Sequence, residues 1–470
     1  MKLLAEINWK DFIKGEGPSD YIPSHGFSPN NSYGLNMTKT RGKLYFTEAE
    51  TDRGGVTLTD DVIAMAYDKT LSGNDGYILD DAGSVYTLAS DNTLTKRQTI
   101  TADTFTIGTS DLLQYEAVAA SPFLFATSAT RIIRFTGPNL DGAAPDTDFW
   151  SGLNTGVRHP LERVEEKLYI GDLNLVHAFD GTTTTTAEIT LPPYVNITSL
   201  RKHPDGRTLL AFCGISQNFG HTRGGGGRVY YIDTVLKDWT REVVLESQVE
   251  GTRVVGGIVY VTYGDNLGYF DGNGLQFLKK IAIGTTDTSQ SNATYSHCMA
   301  NIDDILVIRN DNMALAYGDL GAGKVFWKPY SSPGLRTLTC LFYRGNNKML
   351  FAYQTAAGVE TLGEVNYDNI AVNGVFTTNH FFFGQMVQIK KIVVLHDVTN
   401  TAGTSRFQIE SRKHSGGVAS VIEDRTYASQ DTDRSRFNVD IKTDVFQLYF
   451  VPITDDIGIT AIMIYGDPIP

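Results

Sequence analysis

The sequence predicts an all-β chain: a degenerate β-propeller, six blades fitting best, followed by a C-terminal β-sandwich. Three observations carry this expectation. A unit of strand, turn and strand recurs from residue 43 to about 350, at spacings of about 40 to 55 residues, the period of a propeller blade. Glycine is abundant against proline, 46 to 15, and aromatic residues make up 11% of the chain, a mixture suited to short strands joined by tight turns. After residue 357 the texture changes to longer alternating strands.

Residues 1–40 read as an extended arm rich in Gly, Pro, Ser and Asn, with a short helix capped by Asn8 as an option. Such a segment has no core of its own. It is expected to drape over a neighbouring surface or to dock on a partner subunit.

Residues 41–356 read as the propeller. Gly76–Leu79 and Ser84–Leu88 flank the turn Asp80–Asp81–Ala82–Gly83, whose residues favour left-handed backbone and close a hairpin. The pairing recurs at 117–138, 162–181, 200–233, 252–272, 297–319 and 338–353, where the later strand is apolar and aromatic and often ends in Asp or Gly. A lone blade cannot bury both faces. Arranging blades around an axis covers them and protects the sheet edges. Six blades fit the count best, with five or seven compatible. No Trp-Asp dipeptide closes the units. A series of sandwiches would explain the strands but not the recurring two-part unit. Residues 357–470 read as the terminal sandwich, with Ala461–Tyr465 as the centre of its last core strand.

Composition narrows the chemistry. Lys and Arg total 40 against 53 Asp and Glu, a net charge of −13, which argues against a globally cationic nucleic-acid surface. No apolar run is long enough for a bilayer-spanning helix, and the first residues lack a signal-like apolar core. Cys213, Cys298 and Cys340 have neither zinc-site nor disulfide spacing and read as small buried hydrophobes. No cofactor or metal is expected.

Candidate sites are few. Arg223–Gly224–Gly225–Gly226–Gly227–Arg228 is the most conspicuous. A strand follows it, where a phosphate loop would need a helix, so it reads as a mobile channel or inter-subunit loop whose arginines could touch DNA. Asp265–Asn266 and Asp271–Gly274 carry calcium-like donors, but turn chemistry accounts for them. Asp61, Glu116, Asp172 and Asp304 stand near unit starts, where a propeller glycosidase would place its carboxylates. Solvated turn positions are the simpler reading. Ser121 and Ser128 lack a nucleophile elbow, and the histidines form no metal motif. Tyr77, Tyr86, Tyr169, Tyr230, Tyr231, Tyr263, Tyr269 and Phe270 could form a carbohydrate platform, although strand cores need the same residues.

Three stretches carry a family resemblance: Ser32–Tyr33–Gly34–Leu35–Asn36 before the first hairpin, the propeller without a known blade signature, and Phe376–Thr377–Thr378–Asn379 with Phe383–Gly384 and Lys390–Lys391–Ile392–Val393–Val394. With these the chain resembles β-propeller structural proteins of tailed bacteriophages, closest in style to the tail nozzle or packaged-DNA-stabilisation protein of short-tailed phages. The resemblance implies a non-enzymatic virion protein, assembled in the bacterial host cytoplasm. It implies a homo-oligomeric ring, six copies being one expectation, beside portal, adaptor or tail proteins and in transient contact with packaged DNA. It transfers no catalytic residue. A host-glycan-binding tail protein and a propeller glycoside hydrolase are the alternative readings.

Overall fold

The computed structural model describes residues 1–8, 10, 32, 35–36, 44–46, 51–52, 58, 60–67, 74–89, 93–101, 103–106, 110–115, 123–136, 140, 144–215, 226–281, 296–310, 313–319, 324–327, 337–345, 348–354, 360–366, 376–398, 406–412, 420–426, 434–454 and 457–469. They form an almost entirely β-sheet fold.

Seven four-stranded antiparallel sheets follow one another along the chain. Their first strands are Val62–Tyr67, Leu112–Tyr115, Leu161–Val164, Val195–Lys202, Gly251–Val255, Met299–Ile302 and Thr337–Gly345, which begin sheets 1 to 7. Each first strand touches the first strand of the next sheet, and Thr337–Gly345 returns to Val62–Tyr67. The seven sheets therefore close a propeller-like ring with their first strands innermost.

The sequence explains this arrangement. Second strands such as Leu168–Tyr169–Ile170 and Leu209–Leu210–Ala211–Phe212–Cys213 are buried on both faces, so they read as continuous apolar runs. Alternate side chains enter opposite seams. Tyr169 packs with Leu200 and Leu209 of sheet 4, whereas Leu168 and Ile170 pack with Phe125 and Ile132 of sheet 2. Seven apolar clusters fill the seven seams, the last joining Leu350 and Leu362 of sheet 7 to Val62, Ile78 and Tyr86 of sheet 1. Fourth strands such as those of sheets 1, 3 and 4 are largely exposed and polar. The threonine run 182–186, which reads by sequence as an exposed loop or extended segment, leads into Thr184–Thr190, the outer strand of sheet 3.

The six-blade count is thus corrected to seven sheets. The strand pair at 338–353 belongs to sheet 7, but that sheet is completed from distant pieces, which a count of local pairs does not reveal. Its third strand, Glu360–Asn366, lies beyond the expected boundary at 356, and its fourth is Thr51–Asp52, with Gly363 opposite Asp52 and Glu364 opposite Thr51.

In the C-terminal region, loosely consistent with the expected sandwich, six strands join Lys2–Asn8 in one connected, curled seven-stranded sheet. Phe381–Val398 spans 18 residues and Arg434–Thr454 spans 21. Register shifts between Phe382 and Val387, and between Ile389 and Lys391, interrupt their pairing. Such irregularities bend long strands, so one sheet can curve around its own apolar face. The predicted arm is part of it. Lys2–Asn8 pairs antiparallel with Ile457–Pro468. Leu44 exchanges two backbone hydrogen bonds with Ile459, and buried Ser32 bonds both the N–H and the C=O of Thr377. The described parts of the lead-in thus dock on the chain's own terminal sheet. This sheet shares a core with sheet 6, where Ala316 and Trp327 pack among Phe376, Ile389, Phe450 and Ile462.

Candidate functional site

Of the expected site residues, Arg223, Gly224 and Gly225 lie outside the described residues. Gly227 and Arg228 begin the strand Gly227–Asp233, inside sheet 4. The glycines there serve close backbone approach. A Cβ on Gly226 would meet Leu245 O at 2.9 Å, and one on Gly227 would meet Ser247 O at 2.5 Å and Gln248 Cα at 3.2 Å. Arg228 is held by Glu242, with Nε to Oε1 at 2.8 Å. The described half of this segment is therefore structural. Because the obstructing atoms are backbone, Gly227→Ala is expected to cost about 1–3 kcal/mol, read from the shift of the urea midpoint. A midpoint unchanged within error contradicts this packing.

The carboxylates suggested by a glycosidase reading are not assembled into one site. Asp61 adjoins the start of sheet 1, Asp304 stands in the turn after Met299–Ile302, and Glu116 lies outside the described residues. Asp172 is buried in sheet 3. It accepts hydrogen bonds from Asn154 N and Nδ2, both at 3.0 Å, and lies 3.4 Å from His177 Nε2 and 3.5 Å from His159 Nδ1. Burial alone would raise this carboxyl, but the His177 and Asn154 hydrogen bonds overcome it and hold it below the usual range. His177 Nδ1 accepts the Ala187 N–H at 3.0 Å, which makes its Nε2 the donor to Asp172. The constellation ties a turn and two strands together.

Ser128 donates to Asp103 at 2.6 Å, beside the Thr130 hydroxyl, and closes a turn. Asp271 Oδ1 accepts the amides of Asn273 and Gly274, so the calcium-like run is a closed turn as well. Tyr77, Tyr86, Tyr169, Tyr230, Tyr263 and Phe270 are buried in the seams, which identifies them as core. The three cysteines are likewise buried and free.

A different set of residues converges on the ring's axis. Asp111 precedes sheet 2 and His297 precedes sheet 6. Asp111 Oδ1 is 2.6 Å from His297 Nε2, and Oδ2 accepts the Leu161 N–H of sheet 3 at 2.9 Å. Sheets 2 and 6 are not neighbours in the ring, so this pair crosses the axis. The single turn Ser296–Cys298 that carries His297 also touches the innermost strands of sheets 1, 5 and 7. It closes the axis where the inner strands begin. Burial would raise the Asp111 carboxyl, but His297 and the Leu161 amide hold it below the ordinary range.

Next to this closure, polar side chains link successive inner strands. Arg201 Nη1 meets Glu162 Oε2 at 2.8 Å and its Nε donates to Thr252 O at 3.0 Å. Arg253 donates from Nε and Nη2 to Asn301 Oδ1 at 3.1 and 2.8 Å. Sheets 3, 4, 5 and 6 are thus connected in sequence around the axis. The sequence reading missed this group because its members lie on separate strands, and no local motif marks them. Among the described residues, no group of three or more His, Cys, Asp or Glu side chains could hold a metal ion.

No protein-family description matches the chain, and no curated protein matches its sequence. Solved structures align over about two thirds of it. One is a streptogramin B lyase, at 8% identity and a TM-score of 0.46, covering 68% of this chain and 96% of that one. Another belongs to a mitotic checkpoint complex, at 10% identity and a TM-score of 0.43, covering 68% and 91%. At these scores neither similarity bears on what the chain does.

Proposed function

We propose that the chain is a non-enzymatic structural protein of a tailed-phage virion, placed in the tail nozzle or head–tail connector. In this reading the ring is a rigid seven-bladed propeller. The terminal sheet is its docking partner in assembly, and copies arranged around the particle axis line or close the route by which DNA leaves. The supporting observation is the use of the ring's inner polar groups as braces. Asp111–His297 crosses the axis, while Glu162–Arg201–Thr252 and Arg253–Asn301 tie neighbouring sheets. Bracing of this kind resists deformation, as a load-carrying subunit requires. The negative net charge fits a DNA route as well, because strong phosphate attachment would retard passage and make it salt-dependent.

Mass spectrometry of purified particles from a phage encoding this chain tests the proposal, together with negative-stain images labelled by an antibody against it. The expected result is a stoichiometric virion component with label at the tail or connector. A chain absent from mature particles overturns it.

A further inference from the structure

The ring's inner wall holds an arrangement that bracing alone does not explain. Arg201 and Arg253 stand on the innermost strands of adjacent sheets 4 and 5, and the charge of Arg201 acts on the axial Asp111. Glu162 pairs with Arg201 through Oε2, 2.8 Å from Nη1. Among the described residues Arg253 makes no ion pair. Its hydrogen-bond partner is the neutral amide oxygen of Asn301. It lies deep in the ring yet keeps part of its surface accessible.

The electrostatics agree with this geometry. Burial, and then the like charge of Arg201, pull Arg253 down to about 10, with Glu162 opposing only in part. The group remains protonated at neutral pH. An inward guanidinium without an anionic partner is costly, because desolvation of a cation is repaid only by an opposite charge or a full set of acceptors. Asn301 Oδ1 takes Nε and Nη2 and so fixes one edge of the fork; among the described residues no acceptor is seen for Nη1. Thr252 O and Glu162 fix Arg201 in the same way.

We propose that Arg201 and Arg253 form an axial oxyanion site for a phosphate-class dianion, with Asn301 and Glu162 positioning the two guanidiniums. Two planar forks on adjacent strands can offer paired N–H donors to tetrahedral oxygens. Glu162 answers Arg201, so the pair lacks one negative charge, which a bound phosphate supplies. Glu162 moderates affinity, since its carboxylate stands beside the incoming anion. The ligand is either free inorganic phosphate or the terminal phosphate of a nucleotide, and the two share the same chemistry. This inference goes beyond the virion reading, and its failure would leave that reading untouched.

The test is titration of the full-length chain by isothermal calorimetry and thermal shift. Sodium phosphate is compared with sodium chloride at matched ionic strength, and a second arm uses a nucleoside monophosphate. Saturable binding and a phosphate-specific rise in Tm are expected. Arg253→Gln is expected to weaken phosphate binding about 10-fold or more, and Glu162→Gln to strengthen it several-fold. Arg253→Lys keeps the charge without the fork and should show an intermediate loss, which keeps the question answerable if the glutamine variant does not fold. Equal binding of both phosphates identifies the free ion as sufficient, whereas tighter binding of the monophosphate identifies a phosphomonoester ligand. Either supports the site. Phosphate acting no differently from chloride overturns the proposal. So do variants that change stability but leave the phosphate dependence of wild type intact, which would make Arg253 a brace alone.

Discussion

Replacing Arg344 by leucine is expected to destabilise the protein by about 3–5 kcal/mol, whereas replacing Arg344 and Glu364 together by leucine should leave stability near or above wild type. Arg344 Nη1 meets Glu364 Oε2 at 2.5 Å, and both side chains are 3% exposed. Arg344 Nη2 also donates to Ala89 O at 2.9 Å, linking sheet 7 to sheet 1. The single change takes the guanidinium away from a buried carboxylate, with the Lys348 ammonium 3.7 Å from it. The double change removes both charges, and with them the desolvation cost. Urea unfolding of the two variants decides the matter. A loss below about 1 kcal/mol for the single variant, or an equally large loss for the double, contradicts this assignment.

The second large effect concerns pH. Glu360 is buried where sheet 7 meets sheet 1. Its Oε1 accepts the Thr339 hydroxyl at 2.7 Å and the Val62 N–H at 3.2 Å. Burial pushes its carboxyl up to about 8; the Thr339 hydrogen bond opposes the shift and the Asp61 charge adds to it. Asp81, close to Asp60, Asp61 and Asp80, is raised to about 7, chiefly by burial. A carboxyl raised on folding keeps a proton that the unfolded chain has already released. The stability contributed by these two groups is therefore full below the ordinary carboxylate range, falls as pH rises from there to about 8, and is gone above it, while the lowered carboxyls of Asp111 and Asp172 lose theirs only on acidification.

For one such group the slope is roughly 1.4 kcal/mol per pH unit, so a loss of a few kcal/mol is expected between pH 5 and 8. Glu360→Gln keeps an acceptor for Thr339 and Val62 and carries no charge. It should flatten most of the slope and be more stable than wild type at pH 8, with the remainder belonging to Asp81. Denaturant midpoints across this range provide the measurement. A wild-type midpoint that is level, or that rises with pH, sinks the assignment.

The parts of this fold legible in the sequence are those with local causes. Second strands are buried on both faces and third strands are largely buried and aromatic, so runs such as Leu209–Cys213 and Tyr230–Asp233 stand out, as does the turn between Asp80 and Ser84 that the Asp80 carboxylate closes. First strands of four residues, Leu161–Val164 or Met299–Ile302, are too short to show a period. Fourth strands such as Thr184–Thr190 are polar enough to resemble loops. The two-residue closing strand Thr51–Asp52 has no sequence signature at all. The axial residues are hidden for a related reason. His297 and Asp111 are 186 positions apart, and nothing local announces their meeting. The glycine run at 224–227 is conspicuous, but its described members serve backbone packing in sheet 4.

The seam between sheets 7 and 1 has a consequence for how the molecule comes to exist. Val62 waits for Glu360, 298 positions further on, and Thr51–Asp52 for Gly363 and Glu364. During synthesis on the ribosome, six sheets can order while the first still shows its greasy flank, and only then does the chain's late portion arrive to cover it. The half-made product is thus the species most prone to clump, and a host short of chaperones should yield aggregate in preference to a truncated but soluble body.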